Sequence, residues 1–372
     1  MQERGGSLFA AVRRQFPFAQ AAAVARAHVG LQFRGDQLAL ARLVMRESGA
    51  PLVEQLSIVP AEAARRGEAV RRLAHTGVLR DARVHLVLAP GEYDLYQLPA
   101  PNVPDDEMRD ALRWQLRGTL PYAPEVAEID YVRVPAPPEA ADQAIKPGVL
   151  VVAAPRATVD ELVAPFAAVG IEVHAVDVPE FSQRNLALLG AHGDIAADGC
   201  VAWLSFDADA CVLTVQTGAN HPVSGDLCFT RRIHIPGANG APPNAVLETE
   251  HTVTYLIERI VTQVQRSLDV FERQSGQPAV LALTVGPHRH GAQVASELSD
   301  RLALACRTFE PARVLQTAAD LPVADAHPWA EGLAALGAAL RAENVAGSVK
   351  AGLAGAIAQR LRAWSAPLRR AA

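Results

Sequence analysis

What this chain lacks narrows it first. Aromatic residues make up only 5% of its 372 positions, so core volume has to come mainly from Leu, Val and Ala. Cysteine occurs four times, at Cys200, Cys211, Cys228 and Cys306, and no two stand in the C-x-x-C spacing of a zinc or redox site. That pattern excludes a disulfide framework and predicts buried free thiols on or beside strands. There is no basic excess: 35 Lys and Arg against 40 Asp and Glu leave a formal charge of -5. A general nucleic-acid binder is thereby excluded. No uncharged apolar run approaches the ~20 residues a spanning helix needs. The N-terminus carries Glu3, Arg4, Arg13 and Arg14 and lacks the apolar stretch of a secretory signal. Gly-x-Ser-x-Gly is absent too, so a hydrolase nucleophile elbow has no basis. The expectation is a soluble cytoplasmic protein.

What is present suffices for a full core. Half of the residues are hydrophobic (50%) and 20% are charged, and the length suggests two domains at roughly 150 residues each. After a lead over 1–27, residues 28–33 (HVGLQF), a turn at Arg34–Asp36 and residues 38–44 predict a β-hairpin, with a third strand around 53–59. Residues 61–75 predict a helix closed by Gly77, and 84–88 and 93–98 predict strands. Asp105 or Asp106 is placed to cap a helix running to Arg117. On that helix Met108, Ala111, Leu112, Gln115 and Leu116 share a face, Arg109, Arg113 and Arg117 form a basic ridge beside it, and Trp114 sits off the apolar stripe. Strands at 129–134, 149–153 and 171–176 and a helix at 155–169, stopped by Gly170, follow.

The second half repeats the opening. Residues 201–206 and 211–216 flank DADA (207–210), and 229–235 is a third strand. The longest helix spans 247–274, with Val253, Leu256, Ile257, Ile260, Val264, Leu268 and Phe271 as its stripe and Gly276 as its stop. A strand at 279–285 and helices at 292–302 and 329–340 complete it. Hairpin, strand, helix, strand, helix, given twice, is what an actin-like (ribonuclease-H-like) two-lobe fold would produce, and periodicity alone does not distinguish it from other α/β folds.

A set of ordered blocks carries a family resemblance. Residues 85–135 contain Tyr93-x-Leu95, a Pro-Asp helix entry at Pro104–Glu107, Arg113-Trp114 and Asp130-Tyr131. Later come 149–180, FTRRI (229–233), VQRSLDVFER (264–273) and LAALGAALR (333–341). In content and spacing they resemble the PilM/GspL-like actin-fold family of type IV pilus assembly proteins, in particular its MSHA-pilus (MshI-type) branch. The resemblance implies an actin-like ATPase fold with a small α/β subdomain inserted in the first lobe. The implied division is a lead at 1–27, a first lobe at 28–90 and 173–190, an inserted subdomain at 91–172, a second lobe at 191–342 and a basic tail at 343–372. Members of the family act at the cytoplasmic face of the inner membrane. They bind the cytoplasmic N-terminal tails of inner-membrane pilus proteins and link them to the assembly motor ATPase. Arg109, Arg113, Trp114 and Arg117 are the partner-binding candidates. The tail, with Val349, Leu353, Ile357 and Trp364 on one side and Lys350, Arg360, Arg362, Arg369 and Arg370 nearby, is a candidate contact to anionic lipid.

The same resemblance poses the question of a nucleotide. In actin-like ATPases the first hairpin turn cradles phosphate through small residues and an Asp that holds the metal's water shell. Here Gln32 stands for that Asp, Arg34 for a Gly, Gly35, Asp36 and Gln37 for serines and Ala39 for a Lys. The second phosphate turn reads LSFDADAC (204–211), with Asp207 and Asp209 but no Gly or Thr. The adenosine-cradling Gly-Gly is reduced to VGPHRHG (285–291), stiffened by Pro287. All three turns are altered, so the expectation is a non-enzymatic scaffold without a cofactor, with Asp36, Asp207 and Asp209 as remnants of phosphate loops or plain turn residues. The alternative is a PilM-like ATPase holding ATP and Mg²⁺. A sugar-kinase relative is a third class, and it needs intact phosphate loops and a general-base Asp. His288 and His290 have no further His or Cys near them in sequence and are expected in a solvated loop rather than at a metal.

Overall fold

The computed structural model describes residues 27–45, 50–137, 148–190, 199–207, 209–218, 226–235, 250–319, 321 and 326–341. The predicted lead and basic tail lie outside them, apart from Ala27. The chain opens with β1 (Ala27–Arg34), β2 (Gln37–Val44), β3 (Leu52–Pro60), α1 (Arg66–Thr76) and β4 (Ala82–Val87). A second run comprises β5 (Asp94–Pro99), α2 (Met108–Gln115), β6 (Ala127–Arg133), β7 (Gly148–Pro155), α3 (Arg156–Ala167), β8 (Val173–Asp177) and α4 (Pro179–Gly190). Then come β9 (Cys200–Phe206), β10 (Ala210–Thr217), β11 (Leu227–His234), α5 (Glu250–Ser275), β12 (Val280–Val285), α6 (Gly291–Leu302) and β13 (Ala305–Thr308). The last elements are α7 (Pro311–Val314), β14 (Gln316–Thr317), α8 (Ala326–Glu331) and α9 (Leu333–Ala339).

These strands form three sheets, in the orders β14-β3-β2-β1-β4-β8, β11-β10-β9-β12-β13 and β5-β7-β6. The two larger sheets share a plan. In each, an antiparallel meander of three strands is extended by two parallel ones, so β3-β2-β1-β4-β8 matches β11-β10-β9-β12-β13. The third sheet is built between β4 and β8 of the first.

Strand periodicity assigns the faces. On β1, Val29, Leu31 and Phe33 point outward into a core with Ala69 and Val70 of α1 and Val159, Leu162 and Phe166 of α3. On β9, Cys200, Ala202, Leu204 and Phe206 point outward to α5 and α6, whose Ile260, Val264, Leu268, Phe271 and Val294 cover them. Each Val, Leu, Ile or Phe among them, fully buried, contributes about 1.5–3 kcal/mol. The opposite face of β1 carries His28, Gly30 and Gln32, and α9 lies directly on it. A Cβ on Gly30 would stand 1.8 Å from the Ala335 carbonyl oxygen. Helix α9 touches α4 as closely: a Cβ on Gly337 would meet the Ser182 carbonyl oxygen at 2.3 Å. A shared core of Leu43, Leu56, Trp203, Phe309, Trp329, Leu333 and Leu336 ties the two lobes together.

Several elements differ from the sequence expectation. The helix expected from 105 begins at Met108 with no side-chain cap, because Asp105 pairs with Arg133 instead. The single helix expected over 329–340 is two, α8 and α9, separated at Gly332. Helix α4 and strands β13 and β14 carry no clear periodic signal. β14 and α9, from the stretch assigned to the second lobe, lie on the first sheet: β14 pairs with β3, and α9 is buried along its whole length and needs core on every side.

Candidate functional site

The two hairpin turns face each other across the lobes. In the first, Arg34 pairs with Gln37, leaving Gly35 and Asp36 as a two-residue loop. Gly35 has φ +53°, which suits glycine at the first loop position of such a hairpin. Asp36 is exposed, and its backbone carbonyl accepts from Ala61 N–H at 2.7 Å. In the second turn, Asp207 N–H donates to the Ala210 carbonyl at 2.7 Å. Asp209 is exposed, with its carboxylate 3.7 Å from His234 Nδ1.

Arg34 crosses between them. Its Nη2 donates to Asp207 Oδ1, and its Nη1 donates to Glu331 Oε2 at 2.7 Å and to the Glu331 carbonyl at 3.4 Å. The other Asp207 oxygen accepts from Arg232 Nη1 at 3.2 Å. Arg232 Nη2 lies 3.5 Å from Glu180 Oε1, and Glu180 Oε2 accepts the Tyr93 hydroxyl at 2.5 Å. The result is a row of alternating charge: Glu331, Arg34, Asp207, Arg232, Glu180. Burial and the Glu180 charge push the Tyr93 hydroxyl well above its ordinary pKa, so it stays a donor. Burial works against the Arg232 charge, the Glu180 and Asp207 carboxylates favour it, and the net shift is upward.

Neighbouring positions are also committed. Buried Gln32 donates from Nε2 to the Leu88 carbonyl at 3.2 Å. In the 285–291 loop, Gly286 N–H bonds the Leu204 carbonyl at 2.7 Å, and His288 stacks on Phe206 with ring centroids 4.2 Å apart. His288 is therefore buried rather than solvated, because the ring before Asp207 provides it a platform. Asp36 and Asp209 are exposed, and Asp207 is held by Arg34 and Arg232. Among the described residues no group of three His, Cys, Asp or Glu side chains is placed to hold a metal.

The partner-binding candidates sit on the third sheet. Met108, Leu112 and Leu116 anchor α2 against Ile129, Val149 and Val151. Trp114 is 69% exposed, and the Arg117 guanidinium lies 4.5 Å from its ring centre. Each arginine of the ridge already has an acid: Arg109 with Asp130 at 3.2 Å, Arg113 with Asp110, and Arg117 with Glu125 at 3.4 Å. Burial raises the Asp130 pKa more than Arg109 lowers it.

Sequence reading missed a second polar cluster on the inner face of the first sheet. His28 Nδ1 and His85 Nε2 are 3.3 Å apart, with rings stacked at 5.5 Å, and His174 meets His85 edge-on at 6.2 Å. Burial first, then Arg83 and His174, lowers the His28 pKa to about 4, and His85 is pushed down in the same direction. Beside them Arg341 donates to Asp177 at 2.9 Å, both side chains nearly inaccessible. The sequence signal is one histidine in each of three mainly apolar strands.

Two sheets that share a five-strand order and enclose α4 and α9 define an actin-like α/β fold. Neither a protein-family profile nor a curated protein matches the sequence. Solved structures do. A chain of a "PilM-PilN type IV pilus biogenesis complex" superposes with a TM-score of 0.64 at 18% identity, over 84% of this chain and 98% of that one. A Bacteroides thetaiotaomicron protein with an actin-like ATPase fold gives 0.45 at 10% identity, over 77% and 92%. The cytoplasmic domain of EpsL, an inner-membrane component of the Vibrio cholerae type II secretion system, gives 0.40 at 11% identity, over 70% and 80%. At these identities the likeness is one of fold. No helix among the described residues is long and apolar enough to cross a membrane.

Proposed function

We propose that this chain is a non-catalytic, actin-fold scaffold of a type IV pilus assembly machine of the MSHA type, working at the cytoplasmic face of the inner membrane. Its partner is the cytoplasmic N-terminal tail of an inner-membrane pilus protein, with the assembly motor ATPase as a second contact. The order of family blocks across 85–341 supports this reading, as does a fold shared with a chain of a PilM–PilN complex. The observation that carries its non-catalytic part is the Arg34 guanidinium. It is bonded to Asp207 and Glu331 between the two turns that hold phosphate in actin-like ATPases. A polyphosphate there would have to displace an intramolecular ion pair, with the Glu331 and Asp207 carboxylates left to repel it.

Partner binding is assigned to the sheet β5-β7-β6, whose outer strands β5 and β6 each pair on one edge only among the described strands, the other edge suiting backbone pairing with an extended peptide. Exposed Trp114 supplies the anchor. Because Arg109, Arg113 and Arg117 are each matched by an acid of this chain, they contribute to peptide selectivity only by exchanging partners.

Two measurements test the reading. Calorimetric titration with Mg-ATP is expected to show no binding, and a micromolar dissociation constant would move the assignment to an ATP-binding PilM-like ATPase. Trp114→Ala is expected to weaken capture of the tail peptide by about tenfold or more. Unchanged capture by the folded variant removes the third sheet as the platform.

A further inference from the structure

We propose that the chain clamps its own lobes together through the row Glu331–Arg34–Asp207–Arg232–Glu180, so that closure at the hairpin turns needs no bound ligand. This goes beyond the scaffold assignment and does not depend on what the partner is.

The row crosses between structural units twice, at Arg34–Asp207 and at Arg232–Glu180. Arg34 belongs to the β1–β2 turn of the first sheet, Asp207 to the β9–β10 turn of the second, and Arg232 to β11 of the second. Glu180 opens α4, the helix that follows β8 of the first sheet, and Glu331 closes α8. The Arg34–Asp207 and Arg232–Glu180 pairs therefore join parts that share no strand ladder. Each arginine lies between two carboxylates, and Asp207 lies between two arginines, so no charge is left with a like neighbour along the row. Arg34, Asp207 and Glu331 side chains are each 18% exposed, and Glu180 is 3% exposed. Partial exclusion of water strengthens each charge-assisted bond relative to an open surface pair.

Two further features fit a clamp rather than scattered surface pairs. Arg34 uses both ends of its guanidinium, one toward each unit, a geometry a lysine cannot reproduce. The row also ends at Tyr93, the residue immediately before β5, so it reaches the base of the third sheet. The shared apolar core around Trp203 and Trp329 joins the lobes by packing; the row fixes the turns.

Amide hydrogen exchange on the full-length protein without nucleotide tests this. The reporters are Ala61 N–H on the Asp36 carbonyl, Asp207 N–H on the Ala210 carbonyl and Ile235 N–H on the Asp209 carbonyl. Arg34→Gln and Arg232→Gln are each expected to speed exchange at these turns by about tenfold, while Leu31 and Leu213, in the strand cores, keep their rates. The double variant is expected to do less than the product of the two single effects, since both act through Asp207. If Arg34→Gln does not fold, Arg34→Lys is read instead, with about threefold faster exchange at the same turns expected from the lost fork. Unchanged turns, equal acceleration in the strand cores, or fully multiplicative effects of the two substitutions would each overturn the clamp.

Discussion

Helices α5 and α9 are both essential to the core, and they are written in different ways. Helix α5 covers one sheet from outside: Ile257, Ile260, Val264, Leu268 and Phe271 are buried at helical spacing, while Glu258 and Arg259 face water. Helix α9 is pressed between layers, and every residue from Leu333 to Ala339 is buried. Its companion α4 buries Ser182, Gln183, Arg184 and Asn185, which bond inside the molecule: Asn185 donates to the Gly337 carbonyl, and Ser205 donates to Gln183. A helix with one wet face shows a stripe; a helix with none shows small residues, or polar ones with partners. The outer layers are held by apolar volume, and the inner layer by close backbone approach and by polar contacts such as Asn185 to the Gly337 carbonyl.

That contrast can be broken most sharply at Gly30. Its added Cβ would meet a backbone oxygen, which no rotamer change can move, so Gly30→Ala is expected to cost more than about 4 kcal/mol in denaturant unfolding, or to prevent folding. Gly67→Ala, at a glycine of α1 with nothing within 4 Å, is the control, expected to be neutral or stabilising by up to about 1 kcal/mol. In the outer layer, Phe271→Ala leaves a cavity and is expected to cost about 3–5 kcal/mol by the same measurement.

Acid separates the layers next. The unfolded chain binds a proton at His28 near pH 6.5, whereas the folded protein does so only near 4. The contribution of neutral His28 is thus complete above pH 6.5 and is lost as pH falls toward 4, by about 3 kcal/mol. His85 acts in the same direction. Unfolding free energy measured across this window should fall with pH, and His28→Leu should remove part of the slope. The smallest effect is expected at the surface of the outer layer. Tyr255, 61% exposed on α5, should change stability by no more than about 0.5 kcal/mol when replaced by Ala.

The same division explains what could be read from sequence. Helices α3, α5 and α6 were legible because each has a dry face and a wet one, and the two meanders because short apolar runs are separated by polar turns. Helix α4 was not, since its polar residues read as surface. Strand β13 has four residues and β14 two, too few for a pattern, and β14 is defined only by its pairing with Leu52 and Val53. At the site, Arg34 and Asp207 were both picked out as turn residues, but 173 positions separate them and no local signal joins them. Tyr93, Glu180 and Arg232 lie in family blocks without any mark of their joint role. His288 looked solvated because its platform, Phe206, is remote in sequence.

The return of β14 and α9 to the first sheet has a consequence for synthesis on the ribosome. β1 emerges about 300 residues before α9, the helix that covers its inner face. At ~5–20 residues per second the nascent sheet waits roughly 15–60 s for its lid. On β1 the waiting face carries His28, Gly30 and Gln32, polar or small groups that tolerate water, while Val29, Leu31 and Phe33 face the other way, toward α1 and α3, which are made far sooner. The strand thus turns its stickier side toward the partners that arrive first.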